Sequence, residues 1–149
     1  MNMEKLLISA CLLGVNCKYS GGNNRLDDTV LDRLLAGYDL IPVCPESDGG
    51  LSTPRDPSER VGDKVMSCYG KDVTAEFDSG AHIALEKALS NGCKMALMKE
   101  LSPSCGNGKI YDGTFTGKVI DGYGVTAGLL IENGIEVFGE SSADMLFQS

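Results

Sequence analysis

The sequence predicts an α/β fold: a Rossmann-like, mainly parallel sheet with helices on both faces. Three observations predict it. Short apolar runs of strand length alternate with stretches whose apolar residues recur at helical spacing, as in successive βαβ units. Glycine, alone or after asparagine, closes the helical stretches. Three of the strand-like runs lead into loops that carry a cysteine, namely Cys11, Cys44 and Cys105. In open parallel sheets, ligands bind in the crevice outside the carboxyl ends of the strands. A site is therefore expected at that edge.

The elements follow in order. Residues 5–10 read as a first, buried strand. Asp27 or Asp28 then caps a helix with Val30, Leu31, Leu34 and Leu35 on one face and Gly37 as its stop. Residues 39–44 form the next strand. The stretch from Pro45 to Gly70 is rich in Pro, Gly, Ser and Asp, and reads as a long functional loop with a short hairpin around Arg60 to Tyr69. Thr74 is expected to cap a long amphipathic helix carrying Phe77, Ala81, Ala84, Leu85, Ala88 and Leu89, ended by Asn91-Gly92. Residues 94–99 are the third strand. Gly106 to Gly122 reads as loop and hairpin, Gly124 to Asn133 as a shorter helix closed by Gly134, and Ile135 to Phe138 as a final strand. No repeat or linker-like break interrupts the pattern, so residues 1–149 are expected to form one domain.

Charge and composition narrow the partners. A formal net charge of -8 repels polyanions, so nucleic acid is not expected as a partner, whereas a small uncharged molecule is compatible. No apolar stretch approaches the ~20 residues that span a bilayer, and no membrane partner is expected. Ile8-Ser9-Ala10-Cys11 imitates a lipoprotein cleavage box, but the apolar run before it is shorter than the roughly 7–15 residues of a secretory core, and a strand fits better. Six cysteines in a chain with core-sized apolar segments point to reduced thiols in the cytoplasm rather than to a disulfide framework. Oligomeric state is not encoded in any feature of the sequence.

No C-x-x-C pair occurs, which removes zinc ribbons, thioredoxin-like redox pairs and the compact ferredoxin run. The thiols can meet only through tertiary structure. Cys93, beside the Asn91-Gly92 stop, and Cys68, in the expected hairpin, read as structural residues. Cys11, Cys44 and Cys105 each open onto a loop with Gly or Pro and read as ligands. Three thiolates converging in a cleft suit a metal or an iron–sulfur cluster with one position left open. Cys17 either supplies a fourth ligand or shapes the Gly14-to-Gly22 loop.

Glu46 lies two residues after Cys44, and Ser102 and Ser104 flank Pro103 just before Cys105. A carboxylate and a hydroxyl beside such a group can position and deprotonate a water. The single histidine, His82, reads as a surface residue of the long helix, which excludes a histidine-rich metal site. Arg55 either orients a ligand or pairs with Asp56. Neither Gly49-Gly50 nor Gly106-Asn107-Gly108 matches a phosphate-binding fingerprint.

Taken together, several motifs resemble the thiouracil desulfidase (TudS-like) family. They are Cys11-Leu12-Leu13-Gly14 with Cys17-Lys18-Tyr19-Ser20-Gly21, Val43-Cys44-Pro45-Glu46 with Gly49-Gly50-Leu51, and Pro54-Arg55. Gly70-Lys71-Asp72-Val73-Thr74, Ser102-Pro103-Ser104-Cys105-Gly106 and Ile110-Tyr111-Asp112-Gly113-Thr114-Phe115 complete the set. The resemblance covers nearly the whole chain and departs at Ser20, where relatives often carry Asp. It implies a [4Fe–4S] cluster held by Cys11, Cys44 and Cys105, with one open iron site for substrate sulfur. It also implies a catalytic acidic residue at Glu46, which directs water onto the ring carbon, and a catalytic serine at Ser102 or Ser104. The implied reaction is hydrolytic, non-redox removal of sulfur from a small thiolated base such as thiouracil, since the longer relatives acting on thiolated tRNA carry a second domain.

Two other readings compete with this expectation. One is a structural cluster or zinc module, or a sulfur carrier, closed by Cys17. The other is a cysteine-nucleophile hydrolase, which needs a base such as His82 near a thiol.

Overall fold

A computed structural model of the chain describes residues 3–147. Its centre is a four-stranded parallel sheet formed by β1 (Glu4–Ser9), β2 (Tyr38–Val43), β5 (Met95–Met98) and β8 (Glu136–Gly139), in the order β2-β1-β5-β8. β1 pairs with β2 from Glu4↔Tyr38 to Ser9↔Val43 and with β5 from Leu6↔Met95 to Ile8↔Leu97. The chain winds from β1 to β2 on one side, then crosses back over β1 to β5 and on to β8. The reversal falls between β1 and β5, the position where such sheets open a crevice at their carboxyl edge.

Helices cover both faces, as expected. Leu6, Ile8 and Leu97 point to the face where Leu34 of α1 (Asp28–Gly37) packs, joined by Ala143 and Leu146 of a 3-10 segment, Glu140–Phe147. Leu7, Ala96, Met98 and Val137 point to the other face, against Ala84 and Ala88 of α3 (Thr74–Ser90) and Ala127 and Leu130 of α4 (Val125–Glu132). A strand buried on both faces needs a continuous apolar run, and Leu6-Leu7-Ile8 supplies it with no exposure at all.

Several boundaries differ from the expectation. Asp27, not Asp28, caps α1: its carboxylate accepts the Val30 N–H at 3.0 Å, while Asp28 pairs with Arg25. Leu35 of that helix faces solvent. The helix runs through Gly37 directly into β2. Thr74 is the first helical residue of α3 rather than its cap, because its hydroxyl oxygen is taken by the Val65 N–H and Asp72 accepts the Thr74 N–H instead. Leu89 stands exposed beyond the edge of the buried stripe.

The stretch from Pro45 to Gly70 is more ordered than a loop. It opens with a four-residue helix, α2 (Pro45–Asp48), and holds a hairpin of β3 (Ser58–Val61) and β4 (Lys64–Ser67). The hairpin turns at Gly62-Asp63 and pairs from Ser58 to Ser67, about two residues ahead of the expected Arg60 to Tyr69, because Tyr69-Gly70 belongs to a separate turn in which the Ser67 hydroxyl accepts two backbone N–H groups. A second hairpin, β6 (Lys109–Tyr111) with β7 (Val119–Asp121), occupies the expected stretch after Gly106. Among the described residues no helix is long and apolar enough to cross a membrane.

Candidate active site

Above the carboxyl edge of the sheet lies a cavity of about 540 Å³, within the ~300–1,000 Å³ range of ligand pockets. Cys11, Cys17, Cys44, Glu46, Ser102 and Cys105 all line it. Each arrives by a local device. Cys11 follows the end of β1 in a 3-10 turn, Ala10–Leu13, closed by Gly14 at φ 95°. The Asn24 N–H donates to the Cys11 carbonyl at 2.9 Å, and the Asn24 side chain favours the ionised form of the thiol. Cys44 is the residue after β2 and precedes α2, with its thiol 3.4 Å from the Ser47 hydroxyl and 3.7 Å from the Cys17 carbonyl oxygen. Cys105 lies in the turn beyond β5, only 5% exposed.

Glu46 owes its position to the absence of two side chains. A Cβ on Gly80 of α3 would sit 1.8 Å from the Pro45 carbonyl oxygen, and one on Gly49 would sit 2.0 Å from that of Glu76. Only glycine at both points lets α2 lie directly on α3. Arg55 then reaches Glu46, its Nε 3.5 Å from Oε1, while its other nitrogens donate to the Cys17 carbonyl at 2.8 Å and to Thr53 Oγ1 at 3.0 Å. The pairing of Arg55 with Asp56 does not occur. The Arg55 Nε is buried and has no hydrogen-bond partner of its own.

The two serines separate cleanly. Ser102 Oγ accepts the N–H groups of Ser104 at 3.1 Å and of Cys105 at 3.0 Å, which leaves its proton to donate into the cavity. Ser104 does not line the cavity. It is fully buried, with its hydroxyl 2.8 Å from that of Thr126.

Other expectations fall out as follows. His82 is exposed, with Nδ1 against the Asp78 carbonyl, and touches none of the thiols. Cys93 is buried among Ala88, Ala96 and Ile135, a structural position. Cys68 is exposed, so it has no packing role. The Ile8-Ser9-Ala10 box lies inside the fold, with all three residues buried.

Residues that the motifs did not single out complete the site. The Ser9 hydroxyl accepts the Lys99 N–H at 2.9 Å and donates to the Met98 sulfur at 3.7 Å, and it favours the ionised form of Cys105. Lys99 lines the cavity, pairs with Glu140 at 2.9 Å and favours the ionised form of Cys11. Lys99 follows β5 directly, so the rule that located the cysteines at strand ends also reaches it. Asn24, far from any strand end, carries no such signal.

Electrostatics sharpen the picture. Burial pushes the Cys105 thiol up to about 12, and burial together with the neighbouring Cys44 pushes Cys17 up to about 12. Burial also raises Cys11, against the hydrogen bond from Asn24 and the charge of Lys99. Thiols raised in this way stay protonated unless a cationic group enters, and a coordinating metal centre deprotonates them outright. The donor set thus fits an iron–sulfur group. Among the described residues no three Cys, His, Asp or Glu groups converge to hold a single metal ion, which would need thiolate sulfurs about 2.3 Å from one point.

Compared with known proteins, the sequence matches the family model described as 2-thiouracil desulfurase over residues 6–142. The chain belongs to the 2-thiouracil desulfurase family. It is 38% identical over 146 residues to the uncharacterised protein YbbK of Bacillus subtilis (strain 168), covering 91% of this chain and 95% of that protein. A solved structure described as a [4Fe-4S]-dependent thiouracil desulfidase, TudS, is similar at a TM-score of 0.92 and 47% identity, over 97% of this chain and 95% of that one. Family membership read from the cysteine and Ser-Pro-Ser-Cys motifs is therefore borne out, and so is the parallel α/β architecture.

Proposed function

We propose that this chain is a [4Fe–4S]-dependent thiouracil desulfidase that converts a small thiolated base and water into the corresponding carbonyl compound and hydrogen sulfide, without net redox change. The observation that carries this reading is the shared cavity. Cys11, Cys44 and Cys105 open into the same space as Glu46 and Ser102. These three thiolates would hold the cluster, with Cys17 as a neighbour rather than a ligand. When bound, the cluster supplies a Lewis-acidic iron that accepts the thione sulfur and weakens its bond to carbon.

The remaining work falls to the chain. Glu46 takes one proton from water as the oxygen adds to the ring carbon and the π bond of the thione opens onto sulfur. The carbonyl forms as the hydroxyl on that carbon gives up its remaining proton and the carbon–sulfur single bond breaks. This proton and the one held by Glu46 both end on the departing sulfur, so thione and water yield the carbonyl compound and hydrogen sulfide. Arg55 keeps Glu46 oriented and favours its ionised form. Ser102, whose oxygen is already held by two N–H groups, donates its proton to the developing oxygen or to the ring edge. A cavity of about 540 Å³ suits a free base, and the net charge of -8 disfavours a polyanionic substrate. Residues 1–149 act as one domain in this reading, and six free thiols suit the reducing cytoplasm.

The test is Glu46→Gln in anaerobically prepared, cluster-loaded protein. Iron content and visible absorption should match the parent, while thiouracil desulfuration falls by about 10²–10⁴-fold, the usual cost of losing a general base. Desulfuration at the parent rate would overturn the mechanism.

A further inference from the structure

The turn between β6 and β7 is held in an unusual way. Phe115 adopts φ 59°, a left-handed conformation that is a genuine outlier for a bulky side chain. The Glu59 carboxylate on β3 clamps it there, accepting the N–H groups of Gly113 at 2.9 Å and Phe115 at 3.2 Å. Asp112 accepts the Thr114 N–H and hydroxyl from inside the turn. A Cβ at Gly113 would stand 2.6 Å from the Arg60 carbonyl oxygen, so the turn is pressed against β3. The result is an aromatic ring that lines the cavity of Glu46 and Cys105 instead of packing in a core, with Tyr19 and Tyr111 lining the same cavity. Strained backbone of this kind clusters at ligand clamps.

We propose that Phe115 is the specificity-determining residue of the site, stacking on the flat heteroaromatic ring of the thione, and that Glu59 is the positioning residue that holds it there. The inference rests on the desulfidase reading and deepens it. A stack contributes equally to ground and transition states, so it lowers KM and leaves kcat alone. An aromatic wall also explains how the site retains a planar base without charge: every base has a π face.

The chain contains no tryptophan, so Phe115→Trp makes the wall its own reporter. In cluster-loaded protein, 2-thiouracil and its product uracil should both change the emission of this tryptophan on binding. Phe115→Ala should raise KM for 2-thiouracil by about 5- to 150-fold, the worth of one stacked base, with kcat within about twofold and iron content unchanged. Phe115→Tyr should restore the parent KM. For thiourea, which has no ring, KM should be the same with and without Phe115. Glu59→Ala should raise KM as Phe115→Ala does, and the double variant should be no worse than either alone. Unchanged KM in Phe115→Ala, or an equal rise for thiourea, would overturn the stack. If uracil changes the tryptophan emission but the loaded parent desulfurises no thione, the wall stands and the proposed reaction falls.

Discussion

Arg55 Nε lies 3.5 Å from Glu46 Oε1, and the two side chains are only 7% and 18% exposed. Burial raises the Glu46 carboxyl above its ordinary value, and the positive charge of Arg55 pulls it back down. How much of Glu46 is ionised therefore depends on one guanidinium.

Removing that charge has a definite sign. In Arg55→Gln, only the burial effect remains, so Glu46 keeps its proton to higher pH. A protonated carboxyl cannot act as base, and the acid limb of kcat/KM moves to higher pH. The alkaline plateau stays within the range of the parent. The folded chain also binds this proton more tightly than the unfolded chain, so Glu46 contributes stability at low pH that is lost as pH rises through its folded value. A pH–rate profile with an unmoved acid limb would refute the coupling.

Iron content separates the thiols. Cys11→Ser, Cys44→Ser and Cys105→Ser should each lose cluster iron, because a neutral hydroxyl replaces a soft thiolate. Cys68→Ser, Cys93→Ser and Cys17→Ser should keep it. The Cys17 backbone carbonyl, which serves both Arg55 and Cys44, survives that last change. Iron analysis of the six variants after anaerobic reconstitution decides the ligand set.

The two serines should fail in different ways. Ser102→Ala should lower turnover per cluster and leave the melting temperature close to the parent's. Ser104→Ala strands the Thr126 hydroxyl in a fully buried position, which costs about 1–3 kcal/mol of stability. Turnover per cluster in Ser104→Ala should hold. Thermal melts run beside single-turnover assays distinguish the two, and a catalytic defect in Ser104→Ala alone would reverse the assignment.

Gly80→Ala should damage both fold and function. Its methyl would meet the Pro45 carbonyl oxygen at 1.8 Å, forcing α2 off α3 at a cost of about 1–3 kcal/mol or more. Glu46 moves with α2, so activity per cluster should fall as well. Gly37→Ala is the control, since nothing lies within 4 Å of a Cβ there. Equal melting temperatures for the two variants would show that the helix contact is not tight.

The parallel strands and the strand-end cysteines were legible because each leaves a local mark: a continuous apolar run, then a loop containing Gly or Pro. The hairpin was legible to within about two residues at each end, because its outer limits are set by the pairing of Ser58 with Ser67 and by the separate turn at Tyr69-Gly70 rather than by a local signal. α2 left no periodic trace, being four residues long in a stretch of turn formers and held by the glycine contact with α3. Which serine faces the cavity depends on the turn from Ser102 to Cys105 and on Thr126, some twenty positions away in the sequence. The partner of Arg55 was hidden for the same reason: Asp56 is adjacent in sequence, but Glu46 is adjacent in space.

Cys11, Cys44 and Cys105 lie on segments far apart in sequence that the pairing of β1 with β2 and β5 brings together. No single stretch of the chain contains the site, so its three thiols meet only where those strands pair. A change that shifts the register of β1 against β2 or β5 would displace a thiol without touching a cysteine.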